Sequence, residues 1–240
     1  MPDVPDVIVK LPRVPNLTEL AYLSLKQHML DGSLVEGSRL TEESLATQLG
    51  ISKSPVREAL NRLESEGLIC IESRRGAYVR KFSIEETRDL FDVRVLLEVH
   101  AVGIAKVTPD LLRELAESID RTRMYLESGD KVAHVEEDMR FHSLIAASTG
   151  NGEFYTVFES VQHKTILSRS KTYHLSPRSA PVSHQRIYEA LKKGDRHEAQ
   201  WAMSEHILFL RDSLLAFLRE SGEGAMPKRE SEILAASELT

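Results

Sequence analysis

Asp138 and His142 stand four residues apart in "EEDMRFHSLIAASTGN". On a helix that spacing brings both side chains off one face and within reach of one ion. His184, in "SHQRIYEAL", and His206, in "MSEHILFL", lie in two later amphipathic stretches. Apolar residues surround them at core spacing, Ile187 and Leu191 after His184 and Met203, Leu208 and Leu210 around His206, so both imidazoles are expected to point inward. Three imidazoles and one carboxylate suit a borderline divalent ion such as Zn²⁺, Ni²⁺ or Mn²⁺, with room for water or a further oxygen. Spacing leaves a second reading open, because each histidine taken alone reads first as a hydrogen-bonded, partly buried side chain. The remaining histidines, His28, His100, His134, His163, His174 and His197, read as surface or incidental.

A different chemistry is written into residues 51–68, "ISKSPVREALNRLESEGL". Ser52 or Ser54 can cap a helix, and Pro55 is tolerated in its first turn. Val56, Ala59, Leu60 and Leu63 form one apolar stripe, while Arg57, Asn61 and the neighbouring Arg62 face elsewhere. A short helix and a "GIS" turn precede this segment, which is a helix-turn-helix layout that presents the start of its second helix to the DNA major groove. Ser52, Lys53 and Ser54 at the helix start offer phosphate contacts, and Arg57 reaches a phosphate or a guanine edge. Downstream, "LICIESRRGAYVRKF" changes period: Ile69 and Ile71 alternate, residues 73–76 can turn, and Tyr78, Val79 and Phe82 suit a returning strand. Arg74, Arg75 and Gly76 at the tip would make this hairpin a wing. The plainer alternative is a small helical domain whose Arg57–Asn61 face is only solvated.

The elements that must hold these groups follow from punctuation. Residues 1–15 read as a flexible arm and 16–82 as the winged unit. From Ser83 the pattern is purely helical, with segments at about 83–106, 109–128, 130–149, 152–172, 180–193 and 195–219, broken at Pro109, Gly129, Gly150, Pro177 and Gly194. Short connections between such helices describe an antiparallel bundle over 83–220, and 221–240 lacks an apolar face and reads as a mobile tail. The expected fold is mostly α, a winged helix-turn-helix ahead of an all-α bundle.

Bulk properties agree with this division. The 240 residues carry 41% hydrophobic and 28% charged side chains, ordinary for a globular protein. One cysteine, Cys70, leaves no internal disulfide and no thiolate metal cluster, which fits a reducing, cytoplasmic setting. No stretch approaches the ~20 apolar residues of a membrane span, and the first residues lack the apolar core of a signal peptide. The net charge of −6 lies wholly in 83–240, whereas 51–82 holds seven basic against four acidic residues. Attraction to phosphate decays over roughly 8 Å in physiological salt, so the local excess counts for more than the total.

"GSRLTEESLATQLGISKSPVREALNRLESEGLI", followed by "GAYVRKF", closely resembles the GntR family of bacterial transcription regulators over residues 16–82. The resemblance implies DNA contacts at Arg39, Ser52, Lys53, Ser54, Arg57, Arg62, Arg74, Arg75 and Gly76. Glu43 departs from it, since family members often have arginine there. Residues 88–219 resemble the all-helical ligand-binding domain of the FadR-like branch, called FCD, whose metal-binding subset has ligands in the order of Asp138, His142, His184 and His206. That resemblance implies a divalent metal engaging a small carboxylate effector, with Arg94 in "DVRVLLE" and Asn151 in "TGN" near it; Arg94 equally suits an i,i+4 ion pair with Glu98. The function implied is a homodimeric regulator, on family grounds a repressor, acting on a pseudo-palindromic duplex operator. Two rivals remain: a metalloenzyme using the Asp/His₃ group to activate water, and a regulator whose metal is purely structural.

Overall fold

The computed structural model describes residues 16–72, 75–175 and 178–222. It opens with α1 (Leu17–Asp31), capped by Asn16, whose side chain accepts from the Glu19 N–H. A two-residue strand β1 (Arg39–Leu40) leads to α2 (Glu42–Leu49), where the Thr41 hydroxyl accepts from Ser44 N–H and two glutamates meet the positive helix end. Gly50 ends it at φ +66°, a backbone conformation that side chains with a Cβ rarely adopt. After Ile51 and Ser52, α3 (Lys53–Ser65) begins.

The expected stripe of α3 is buried: Val56, Ala59, Leu60 and Leu63 pack with Tyr22, Leu25 and Met29 of α1 and Leu45 and Ala46 of α2. Ser52 occupies the N-cap position without making a side-chain cap bond. The hairpin forms as β2 (Ile69–Glu72) and β3 (Gly76–Val79), antiparallel, with Cys70 opposite Tyr78. β1 adds a third strand on the other side of β3, Arg39 opposite Tyr78, giving the order β1-β3-β2. Two residues carry too little pattern to reveal β1 in the sequence. The alternation read into β2 also needs correction. Ile69 is buried, but Ile71 is 40% exposed even though Ala77, opposite it on β3, is buried.

Ser83 starts the helical part with a reciprocal capping box, accepting from Glu86 N–H while the Glu86 carboxylate accepts from Ser83 N–H. Six helices follow: α4 (Ile84–Ile104), α5 (Pro109–Ser128), α6 (Lys131–Ser148), α7 (Gly152–Leu175), α8 (Ser179–Lys193) and α9 (Arg196–Ser221). α4 packs along α9, α5 along α6 and α8 along α9. Their core holds Phe91, Val102, Leu115, Ile119, Phe141, Ile145, Ile187, Met203, Ile207 and Leu214.

The winged unit does not close its own core. Val135 of α6 and Leu167 of α7 are buried in it, with Val132, Met139 and Tyr173 at its edge. Beside this shared apolar contact sits a polar junction on Glu66, the residue ending α3. Its carboxylate accepts from Tyr22 Oη at 2.8 and 2.9 Å, and Lys26, Arg62 and His163 of α7 stand at 3.6, 3.4 and 3.4 Å.

Candidate metal centre and nucleic-acid face

α6 presents Asp138 and His142 from one face, as their spacing requires, and α8 and α9 deliver His184 and His206 to the same point. All four residues are buried, and one ligand atom from each lies within 4.8 Å of the others. His184 Nε2 is 3.3 Å from His142 Nε2 and 3.4 Å from Asp138 Oδ1, while His142 Nε2 is 4.0 Å from that oxygen. Metal–ligand bonds of about 2.0–2.1 Å in tetrahedral array put neighbouring donor atoms about 3.3 Å apart, so two of these three separations match one shared ion closely. Phe141 stacks on His184 with centroids 3.9 Å apart and holds the ring in place.

The environment keeps a nitrogen lone pair available. Burial, with Arg94 alongside, holds His142 below the usual imidazole range against the opposing pull of Glu98. Glu98 of α4 went unnoticed as a site residue in the sequence, where only its pairing with Arg94 was foreseen. In the fold it lies behind His142, one carboxylate oxygen on His142 Nδ1 and the other on Arg94 Nε. The i,i+4 ion pair therefore exists, and Arg94 also faces the cluster, with Nη2 3.4 Å from His142 Nε2. Its Nη1 is buried with no hydrogen-bond partner among the described residues. Asn151 has another job: it is exposed, and its side-chain oxygen caps α7 by accepting from Phe154 N–H at 3.1 Å. Its described contacts stay within the α6–α7 turn, away from the four ligands.

On the winged unit several exposed cations are held by neighbouring acids. Arg57 forks onto Glu42, and Lys53 Nζ lies 3.4 Å from Glu43. This hydrogen bonding keeps the Glu42 carboxyl below the usual range and Arg57 above its own. Ser54 Oγ lies 3.5 Å from Glu58. Arg62 is exposed but lies 3.6 Å above the Tyr22 ring and is paired with Glu19 and Glu66, so its guanidinium joins α3 to α1. Arg39 is exposed on β1 close to Gly76, whose φ of +107° suits glycine. Arg75 pairs with Glu72, and Arg74 lies outside the described residues. Two histidines read as incidental have definite surroundings. His134 is buried with Nδ1 3.2 Å from Thr122 O, and His163 belongs to the Glu66 junction.

Comparison with known proteins follows the same two-part division. Residues 17–79 match the model of the bacterial regulatory proteins, gntR family, and residues 89–209 match the FCD domain. The chain is 30% identical over 213 residues to the HTH-type transcriptional regulator YcbG of Bacillus subtilis, spanning 80% of this chain and 88% of that one. The HTH-type transcriptional repressor RspR of Escherichia coli is 25% identical over 206 residues, 84% of this chain and 90% of that one. Among solved structures, E. coli McbR/YncC superposes with a TM-score of 0.72 at 25% identity, covering 84% of this chain and 98% of that chain. These relatives are transcriptional regulators and not enzymes, which sets aside the metalloenzyme. A helix-turn-helix with its wing, continued into a helical FCD domain, identifies the chain as a DNA-binding transcriptional regulator that belongs to the GntR family.

Proposed function

We propose that this regulator is a repressor whose grip on its operator is set by a small carboxylate metabolite held at a divalent-metal centre. The observation that carries the reading is the buried convergence of Asp138, His142, His184 and His206 beside an arginine with an unused buried N–H. A bound Zn²⁺, Ni²⁺ or Mn²⁺ would be held by those four residues and would supply a Lewis-acid anchor for a carboxylate oxygen. Arg94 would pair with the same anion, since a guanidinium meets a carboxylate through two parallel N–H bonds. A neutral imidazole at His142 favours binding of the ion, because a protonated one has no free lone pair.

Residues 16–82 would read DNA and 83–220 would sense the effector and pair two copies, with 1–15 and 221–240 as arm and tail. Arg39, Ser52, Lys53, Ser54, Arg57, Arg74, Arg75 and Gly76 form the DNA-facing set, whereas Arg62, tied to Glu19 and Glu66, contributes chiefly by bracing α3. A homodimer would set two winged units on a pseudo-palindrome, because two-fold protein symmetry calls for a two-fold site. The effector would bias the spacing of those units through differential binding, and a typical coupling of ~1–3 kcal/mol changes occupancy about 5–150-fold. Repression is favoured by relatives named as repressors, RspR and the gluconate operon transcriptional repressor of Bacillus licheniformis. No helix of the described residues is long and apolar enough to cross a membrane, and a cytoplasmic setting is proposed with the rest.

Thermal-shift titration of metal-loaded protein with small di- and hydroxycarboxylates tests the sensor. A true effector at 100 times its Kd stabilises the folded state by about 2.7 kcal/mol and alters operator binding in the same concentration range. Metal binding without any carboxylate response would leave a structural metal instead.

A further inference from the structure

We infer that Glu98 is a positioning residue of the metal centre: it fixes the tautomer of His142, so that Nε2 and not Nδ1 presents its lone pair to Asp138 and His184. The inference rests on the metal-centre reading above and adds to it a residue that is not itself one of the four ligands.

Two independent contacts assign the proton. A carboxylate only accepts hydrogen bonds, so the close approach of a Glu98 oxygen to His142 Nδ1 favours a hydrogen on that nitrogen. A guanidinium only donates, so Arg94 Nη2 at 3.4 Å from His142 Nε2 requires a lone pair there. Both contacts select the Nδ1–H form, and both come from side chains one helical turn apart on α4. Nε2 is also the nitrogen that lies 3.3 Å from His184 Nε2 and 4.0 Å from Asp138 Oδ1. Glu98 is thus behind the ring and the cluster is in front of it.

The Arg94–Glu98 pair makes little sense as a stabilising device. Both side chains are almost fully buried, at 2% and 4% exposure. Taking two charges out of water costs about as much as their attraction returns, and apolar replacements are often neutral. Its use lies in orientation. A carboxylate bonded to the rear nitrogen of a ligand imidazole sets the ring angle and raises its basicity, and losing such a partner typically weakens metal binding by about 10–100-fold.

The full-length protein, stripped with a chelator and titrated with Ni²⁺ or Zn²⁺ by calorimetry, gives the test. Wild type is expected to bind one ion per chain, and Glu98→Gln to bind it about 10–100-fold more weakly. Long-range proton–nitrogen NMR on histidine-labelled wild type, before metal is added, should find the His142 proton on Nδ1. That measurement needs no variant and stands whether or not Glu98→Gln folds. A wild type that binds neither ion overturns the metal reading itself. A wild type that binds metal while Glu98→Gln matches its affinity overturns the role of Glu98, as does a proton found on Nε2.

Discussion

Arg57 of α3 reaches back across the turn and grips Glu42 of α2, its Nε and Nη2 lying 2.8 and 2.7 Å from the two carboxylate oxygens. The side chain proposed to meet a guanine edge is thereby held by an acid in the preceding helix. Arg57→Ala should cost about 1–3 kcal/mol of base discrimination at one position of each half-site. Its exposed position predicts an unfolding midpoint close to wild type. Gel shifts on a duplex selected from a random pool would check the first and thermal unfolding the second, and unchanged binding would remove Arg57 from the interface.

Glu43 points the other way electrostatically. It pairs with Lys53 at the start of α3, where phosphate contacts are expected. Glu43→Arg should raise non-specific DNA affinity, and one added phosphate contact would steepen the plot of log K against log salt by about 0.9. Fluorescence anisotropy on a random duplex across a salt series measures this slope.

A divalent ion held by the four buried ligands would bring a linked gain in stability. Saturating Ni²⁺ or Zn²⁺ should raise the unfolding midpoint of wild type, with about 2.7 kcal/mol of added stability at 100 times Kd. His142→Ala removes a ligand and should abolish most of that rise. An equal rise in the variant would place the ion elsewhere.

The Glu66 junction carries a stability prediction. Glu66→Ala removes the acceptor of the Tyr22 hydroxyl and one partner each of Lys26 and Arg62 in a half-buried site, which costs about 1–3 kcal/mol in urea unfolding.

The same junction should respond to acid. Burial, reinforced by Lys26, holds His163 below the ordinary imidazole range despite the pull of Glu66 and Glu159, and Arg62 adds to the lowering. As pH falls below about 6.5 the unfolded chain takes up a proton that the folded one resists, so stability drops with pH in that window. His163→Gln should lose less stability than wild type between about pH 7.5 and 5.5, read as unfolding midpoints in chelator. A parallel decline in both proteins would exclude His163 as the source.

Much of this was legible because it is periodic. The buried stripe of α3 and all six later helices follow from i,i+4 spacing and from glycine and proline punctuation, with ends off by a few residues at most. The inward turn of His184 and His206 followed from their apolar neighbours. Contacts between elements were less accessible. Nothing in the spacing of Glu98 reveals that His142, 44 positions away, is its partner, because that pairing depends on how α4 rotates against α6. Arg62 and Asn151 stand out by position along the chain, and the fold adds contacts that position does not show, one bracing α1 and the other capping a helix. Both are uses that local pattern cannot separate from ligand contact.

Val135 and Leu167 have a practical bearing on engineering. Because these two side chains from the FCD half complete the interior of the DNA-binding half, a DNA-binding head cut out at Phe82 would bare a greasy scar and tend to clump. Chimaeras that graft this head onto another domain should therefore transplant the matching patches of α6 and α7 with it.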